Sequence, residues 1–286
     1  PATPPNVLMV TLDTTRADRL GPYGYARGVT PNLDRMAENA VVFENAIASV
    51  PLTFPSHTTL FTGQYPTRHG IRDNGGFFLD AKALTMAEIL KEKGYATGAF
   101  IGAWVLESRW GLAQGFDRYS DDFDLSKYKV ISLGTVQKTA EQVINDSISW
   151  LDTVKAGKFF GWVHLYDPHT PYEPIEPYAS RYPNQPYVAE IAYTDAQLGR
   201  LFDWMATHGL DKNTIVIVTA DHGESLGDHG EATHAYFVYD SAMHVPLIIK
   251  TPWNARGRVA SMVSHADVLP SLLDLLGLPA SSEPVD

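Results

Sequence analysis

The densest group of residues able to do chemistry is Asp221-His222-Gly223-Glu224, followed by Gly227-Asp228-His229-Gly230 and then His234. It comes directly after the β-branched run Ile215 to Thr219. That order predicts a central strand that hands a carboxylate and an imidazole to a loop, with Gly223 free to turn sharply. A hard oxygen ligand beside an imidazole suits Zn²⁺ or Mn²⁺ better than Ca²⁺. Asp13 closes the apolar run Val7-Leu8-Met9-Val10-Thr11-Leu12 and offers a further carboxylate. Two ionised carboxylates about 4 Å apart repel by roughly 4 kcal/mol at an effective dielectric near 20, and a divalent cation between them reverses that sign.

A second group is Pro51-Leu52-Thr53-Phe54-Pro55-Ser56-His57. Thr53 stands just before an expected helix, where backbone N–H groups favour an anion. A free alcohol is a feeble nucleophile at neutral pH. A metal lowers the pKa of bound water from 15.7 to about 7, which is roughly 12 kcal/mol for the oxyanion. A threonine alkoxide on the metal would gain a comparable benefit. Thr before a helix is also an ordinary N-cap, so Thr-x-Pro alone decides nothing.

Positioning these residues takes a framework. Strands are expected at Val7 to Leu12, Val41 to Ile47, Tyr95 to Ile101, Phe159 to Leu165, Ile215 to Thr219 and Val245 to Ile249. Helices are expected at Thr30 to Ala40, Ser56 to Thr62, Leu84 to Lys93, Thr135 to Val154, Tyr187 to Thr207 and Val268 to Leu276. The alternation argues for an α/β fold with a mostly parallel sheet and helices on both faces. In such sheets ligands collect beyond the carboxyl ends of the strands, and Asp13, Asp167 and Asp221 each lie just after one. The Pro- and Tyr-rich stretch Tyr166 to Tyr187 reads either as a rigid loop over that rim or as a surface connection packed by its own aromatics.

At this point the sequence resembles the sulfatase branch of the alkaline phosphatase superfamily. Thr53-Phe54-Pro55-Ser56-His57, Thr62-Gly63-Gln64-Tyr65-Pro66 and His69-Gly70-Ile71-Arg72-Asp73-Asn74 look like its nucleophile region. Asp13-Thr14-Thr15-Arg16-Ala17-Asp18, Thr30-Pro31-Asn32-Leu33-Asp34, Asp167-Pro168-His169-Thr170-Pro171-Tyr172 and Asp221-His222-Gly223-Glu224 follow the family's order, from Asn6 to about Leu278. The resemblance implies an alkaline phosphatase-like three-layer sandwich. It also implies one divalent ion, Zn or Mn, held by Asp13, Thr53, Asp221 and His222, with Thr53 as nucleophile. Asn74 matches the asparagine that, with the Thr53 N–H, holds a non-bridging phosphoryl oxygen in nucleotide pyrophosphatase/phosphodiesterase-like members. His169 matches a histidine that contacts substrate or protonates the leaving group. His234 falls where sulfatases usually place a lysine and where phosphoethanolamine transferases have a histidine.

Three departures shape the functional expectation. Sulfatases begin the nucleophile motif with Cys or Ser, oxidised to formylglycine, and usually carry Arg where His57 stands; oxidation of Thr53 would give a ketone. Thr14 and His222 replace acidic and amide partners common in sulfatases. Two-metal phosphodiesterases space Asp and His by four residues, whereas Asp167 and His169 are two apart, which leaves a second site of Asp167, His169 and His234 in question. The expected activity is hydrolysis of phosphate mono- or diesters through a phospho-threonine. Sulfate-ester hydrolysis without formylglycine and phosphoethanolamine-type transfer are the alternatives, on small-molecule or lipid or glycan esters.

The 286 residues suffice for a single catalytic domain, 1–286, which the resemblance suggests is without the family's small C-terminal subdomain. A net charge of -11 with no basic run argues against nucleic acid as partner. The absence of cysteine rules out disulfides and thiolate sites. No apolar run is long enough to cross a membrane. The first residue is Pro1, so a signal peptide, an anchor or a cloning choice stands upstream, and a periplasmic or secreted location is slightly favoured. His57, His69, His164, His208, His229, His244 and His265 are expected to be structural or supporting, Asp195 to cap or brace a loop, and Arg16 to meet either an ion-pair partner or a substrate anion.

Overall fold

The computed structural model describes residues 4–26 and 28–286. Its strands are β1 (Asn6–Leu12), β2 (Val41–Ile47), β3 (Ala96–Ile101), β4 (Arg118–Ser120), β5 (Phe159–Leu165), β6 (Thr214–Ala220), β7 (His244–Lys250) and β8 (Gly257–Ser264). They form one sheet in the order β4-β3-β5-β1-β6-β7-β2-β8. β4, β3, β5, β1 and β6 pair in parallel, β7 is antiparallel to both β6 and β2, and β8 is parallel to β2. Only β7 therefore runs against the rest. β1, β5 and β6 are buried along their whole length, as strands covered on both faces must be.

The helices are α1 (Pro31–Ala37), α2 (Thr53–Thr62), α3 (Pro66–His69), α4 (Met86–Glu92), α5 (Ala140–Val154), α6 (Tyr178–Arg181), α7 (Pro186–Thr207), α8 (Asp240–Met243) and α9 (Val268–Leu275). Strand pleat shows that they lie on both faces. Thr11 of β1 hydrogen-bonds His57 of α2, and Trp162 of β5 packs on Phe61 of α2 at 4.5 Å between ring centroids. Gly161, the neighbour of Trp162, faces Leu8 of β1 and Trp150 of α5. Successive side chains point to opposite faces, so α2 covers one side and α5 the other. α7 packs on α5 and α1, and α2 packs on α4 and α9, which completes a helix–sheet–helix arrangement.

Two strands escape the sequence reading. β4 is three residues long, and β8 is an exposed edge strand of mixed polarity with no buried residue, so neither carries the alternating pattern of a half-buried strand. The helix expected from Ser56 starts three residues earlier, at Thr53, with Leu52 as its N-cap. The helix expected from Thr135 starts at Ala140, where Thr139 and Gln142 form a reciprocal capping box.

Candidate metal and nucleophile site

The register of the three central strands assembles the site. Leu12 pairs with Ala220 on one side and Leu165 on the other, so Asp13 and Asp221 are the next residues of adjacent parallel strands. Asp13 N–H still donates to the Leu165 carbonyl at 2.9 Å, which fixes where its side chain leaves the sheet. Asp221 Oδ1 accepts from the N–H groups of Thr14 (3.2 Å) and His222 (2.8 Å). Thr14 offers its N–H from φ 48, a left-handed conformation that costs a β-branched residue about 1–3 kcal/mol. Its hydroxyl donates to the Pro168 carbonyl, which holds the turn.

His222 follows in a turn that only glycine permits. A Cβ on Gly223 would lie 2.1 Å from the Ser241 carbonyl oxygen. The His222 Nδ1–H donates to the Gly223 carbonyl at 2.9 Å, so the Nε2 lone pair faces the carboxylates. Nε2 lies 3.4 Å from Asp221 Oδ2, 4.0 Å from Asp13 Oδ1 and 3.4 Å from the Thr53 hydroxyl. Donors about 2 Å from a shared tetrahedral ion stand about 3.3 Å apart. Asp13, Asp221 and His222 offer ligand atoms that all lie within 4.8 Å of one another.

The cradle fits a divalent ion on a further ground. Both carboxylate oxygens of Asp13, and Oδ2 of Asp221, are buried and accept no hydrogen bond. The 3.2 Å approach of His164 Nε2 to Asp13 Oδ2 lacks the angle of a hydrogen bond and leaves that oxygen without a donor. Burial, then Asp221 and Glu224, holds the Asp13 carboxyl well above the usual carboxylate range; burial also raises Asp221. Burial pushes His222 well below its ordinary value, which keeps it neutral and able to ligate. Bare carboxylate oxygens and a neutral imidazole are a cation's donor set.

Thr53 is the first residue of α2, and its N–H has no intrahelical acceptor. Behind it His57 Nδ1–H donates to the Thr53 carbonyl at 2.7 Å, while its Nε2 accepts from Thr11, which in turn accepts from Trp162 Nε1. That chain anchors the start of α2 to the sheet, the supporting role expected of His57. Asn74 Oδ1 accepts from the Phe54 N–H at 2.9 Å, which orients the amide and leaves its NH₂ available beside the helix start.

His234 reaches the site from the loop after β6, with its ring 4.5 Å from that of His222 and 5.4 Å from that of His169. His169 stacks on Tyr166 at 4.3 Å and engages the Thr170 carbonyl through Nδ1. Asp167 does not join them. Its Oδ2 accepts from the Ala140 N–H and caps α5. Asp167 is one residue out of step with Asp13 and Asp221 relative to the paired strand ends, so the pleat turns it toward the α5 face. Among the described residues, the second metal site of Asp167, His169 and His234 is therefore not gathered around one point.

Arg16 is committed elsewhere, donating to both Asp18 oxygens, to Asp228 and to the Glu224 carbonyl, and so ties the loop after β1 to the loop after β6. His69 braces its turn through Thr59 and the Ile71 N–H, His208 stacks on Trp204, and His229 stacks on Tyr239. His164 is nearer the site than its sequence context suggests. It pairs in register with Thr11, and that parity places it on the same face as Asp13.

The sulfatase family model matches residues 5–278. A curated relative, the ulvan-active sulfatase of Formosa agariphila, is 30% identical over 321 residues that cover 96% of this chain and 62% of that protein. Human arylsulfatase A is 26% identical over an alignment covering all of this chain and 66% of that protein. The chain thus spans about two thirds or less of the length of these relatives. Among solved structures, the phosphonate monoester hydrolase of Agrobacterium radiobacter superposes with a TM-score of 0.82 at 24% identity, covering 96% of this chain and 74% of that one, which shows the shared alkaline phosphatase-like fold.

Proposed function

Because the chain belongs to the sulfatase family, we propose that it is a metal-dependent hydrolase of phosphate mono- or diesters with Thr53 as nucleophile. The observation that carries this reading is the 3.4 Å approach of the Thr53 hydroxyl to His222 Nε2, beside three buried carboxylate oxygens that accept no hydrogen bond. Asp13, Asp221, His222 and the Thr53 hydroxyl would hold the ion, Zn²⁺ or Mn²⁺ by donor type. Bound there, it would favour the alkoxide form of Thr53.

The chain's own residues supply the rest. Thr53 Oγ forms a bond to phosphorus as the bond to the leaving oxygen breaks on the opposite side. The Thr53 N–H and the Asn74 NH₂ donate to a non-bridging oxygen, where negative charge accumulates. His234 or His169 gives a proton to the departing oxygen. The two differ in their Nδ1 partners: a neutral carbonyl for His169, a carboxylate for His234. A carboxylate can only accept, so it fixes Nδ1–H on His234 and leaves Nε2 for the proton transfer, which makes His234 the better-held donor. Water then cleaves the phospho-threonine. The trait favouring phosphate over sulfate esters is Thr53 itself, which has no route to a formylglycine aldehyde. The names of the curated relatives favour sulfate esters.

Turnover of matched aryl phosphate, bis-aryl phosphate and aryl sulfate esters by the metal-loaded protein separates the two. We expect phosphate-ester turnover to dominate and a phosphoryl adduct on Thr53 to be detectable by mass spectrometry in acid-quenched samples. Thr53→Ala should lose at least 10³-fold in kcat, about 4 kcal/mol; a fully active Thr53→Ala protein refutes the assignment.

A further inference from the structure

Glu224 is fully buried, and its carboxylate is the one beside His234. Its backbone is pinned on both sides: the N–H donates to the Ser241 carbonyl at 3.0 Å, and the carbonyl accepts from Arg16 at 3.2 Å. Its carboxylate oxygens meet two side chains. His234 Nδ1 lies 3.1 Å from Oε1, and the Tyr172 hydroxyl donates to Oε2 at 2.8 Å. Among the described residues, no Lys or Arg side chain pairs with that carboxylate. A buried carboxylate needs its acceptors satisfied, and here an imidazole N–H and a phenol O–H do so. The arrangement also settles the ring's orientation. A carboxylate can only accept, so the nitrogen facing it must be Nδ1–H, and Nε2 is the nitrogen left for chemistry.

We propose that Glu224 is a positioning residue. It holds the His234 imidazole with Nδ1–H on Oε1 and thereby presents Nε2 to the leaving oxygen, while Tyr172 keeps the carboxylate in place. The inference rests on His234 being the leaving-group acid of the reading above. In the step it serves, the His234 Nε2–H proton moves to the departing oxygen as the phosphorus–oxygen bond breaks. The ring becomes neutral and keeps its Nδ1–H on Glu224. Tyr172 belongs to the Pro- and Tyr-rich loop between Tyr166 and Tyr187, so that loop reaches the chemistry through Glu224 as well as through His169.

Leaving-group dependence is the readout that a merely structural role would not move. A good leaving group needs little protonation and a poor one needs much. Wild type, Glu224→Gln and Tyr172→Phe, each loaded with the same metal, are compared on one phosphodiester pair: a 4-nitrophenyl ester and the matching phenyl ester. For Glu224→Gln the ratio of kcat/KM between the nitrophenyl and phenyl esters should rise by about tenfold or more, with a smaller rise for Tyr172→Phe. Nitrogen-15 NMR of the metal-loaded protein should show His234 held as the Nδ1–H form in neutral wild type and as a mixture in Glu224→Gln. An unchanged ratio in both variants, or an unchanged His234 signature, overturns the assignment of Glu224. If wild type turns over neither ester, or Thr53→Ala stays active, it is the underlying reading that fails. Should Glu224→Gln not fold, Tyr172→Phe carries the same test through the second oxygen.

Discussion

Among the described residues, two of the regions that bury carboxylates without a lysine or arginine treat them in opposite ways. On α7, Asp195 is 1% exposed and accepts from the Asn32 N–H (3.0 Å), the Leu33 N–H (2.9 Å) and the Asn32 amide (2.9 Å). It ties the first turn of α1 to α7, and Gly199 makes room, since a Cβ there would lie 2.6 Å from the Asn32 side chain. At the strand ends, Asp13 and Asp221 are equally buried, but three of their four oxygens accept nothing. The first region spends its hydrogen bonds on stability. The second leaves strong acceptors bare, a cost that structure alone does not repay. Burial therefore does not separate a candidate ligand carboxylate from a structural one here; the number of donors aimed at it does.

The largest expected effect breaks the comparison on its functional side. Asp221→Asn keeps an oxygen for the Thr14 and His222 N–H groups and removes the bare charged one. We expect kcat/KM to fall by 10³-fold or more, about 4 kcal/mol, with loss of bound metal by elemental analysis. The metal-free variant should unfold in urea at the same concentration as metal-free wild type or a higher one, because a buried charge without a partner has gone. A marked loss of metal-free stability would put Asp221 in the same class as Asp195.

Metal addition sharpens the same contrast. An ion that binds only the folded chain stabilises it by about 4 kcal/mol at a thousand times its Kd. Thermal unfolding with and without Zn²⁺ or Mn²⁺ should show that increment in wild type and in Asp195→Ala, and should show none in Asp221→Asn. On the structural side, Asp195→Ala strands three donors at a buried helix start. It should cost about 3–4 kcal/mol by denaturant unfolding while leaving kcat/KM within a few-fold, since α1 packs on α7 and β7.

What could be read from the sequence divides along the same line. That Asp13, Asp221 and His222 come together is legible because strand ends fix Cα positions and because Gly223 follows directly. The central strands and the long helices were legible from periodicity. Asp167 shows the limit. It was expected at the rim from its place after β5, and its Cα is there, but one residue of register sends its carboxylate to cap α5. Side-chain direction depends on pairing between strands some 150 residues apart, and no local pattern encodes that. His164 reads as structural for the same reason, and only its pairing with Thr11 across the sheet shows that it shares a face with Asp13. Asp195 was expected to cap or brace, and the structure shows the helix whose start it holds. The tie from Glu224 to His234 and Tyr172 spans two loops and has no sequence signature at all.

The smallest effect tests whether Asp195 is costly even where it is satisfied. Burial pushes its carboxyl from 3.8 up to about 6, while the donors from Asn32 and Leu33 pull the other way. The unfolded chain releases this proton near 3.8 and the folded chain only near 6, so between those values the folded state binds more protons. Stability from this group is then fully present below about 4, falls as pH rises through the window, and is flat above about 6. The expected fall is on the order of 2–3 kcal/mol. Urea unfolding at pH 4, 5, 6 and 7, in chelator to keep the site metal-free, isolates it as the difference between wild type and Asp195→Asn. Other titrating groups cancel in that difference, including Asp13 and Asp221. A difference that rises with pH instead would mean that the donors at the start of α1 outweigh burial, and that Asp195 is held ionised in the folded chain throughout.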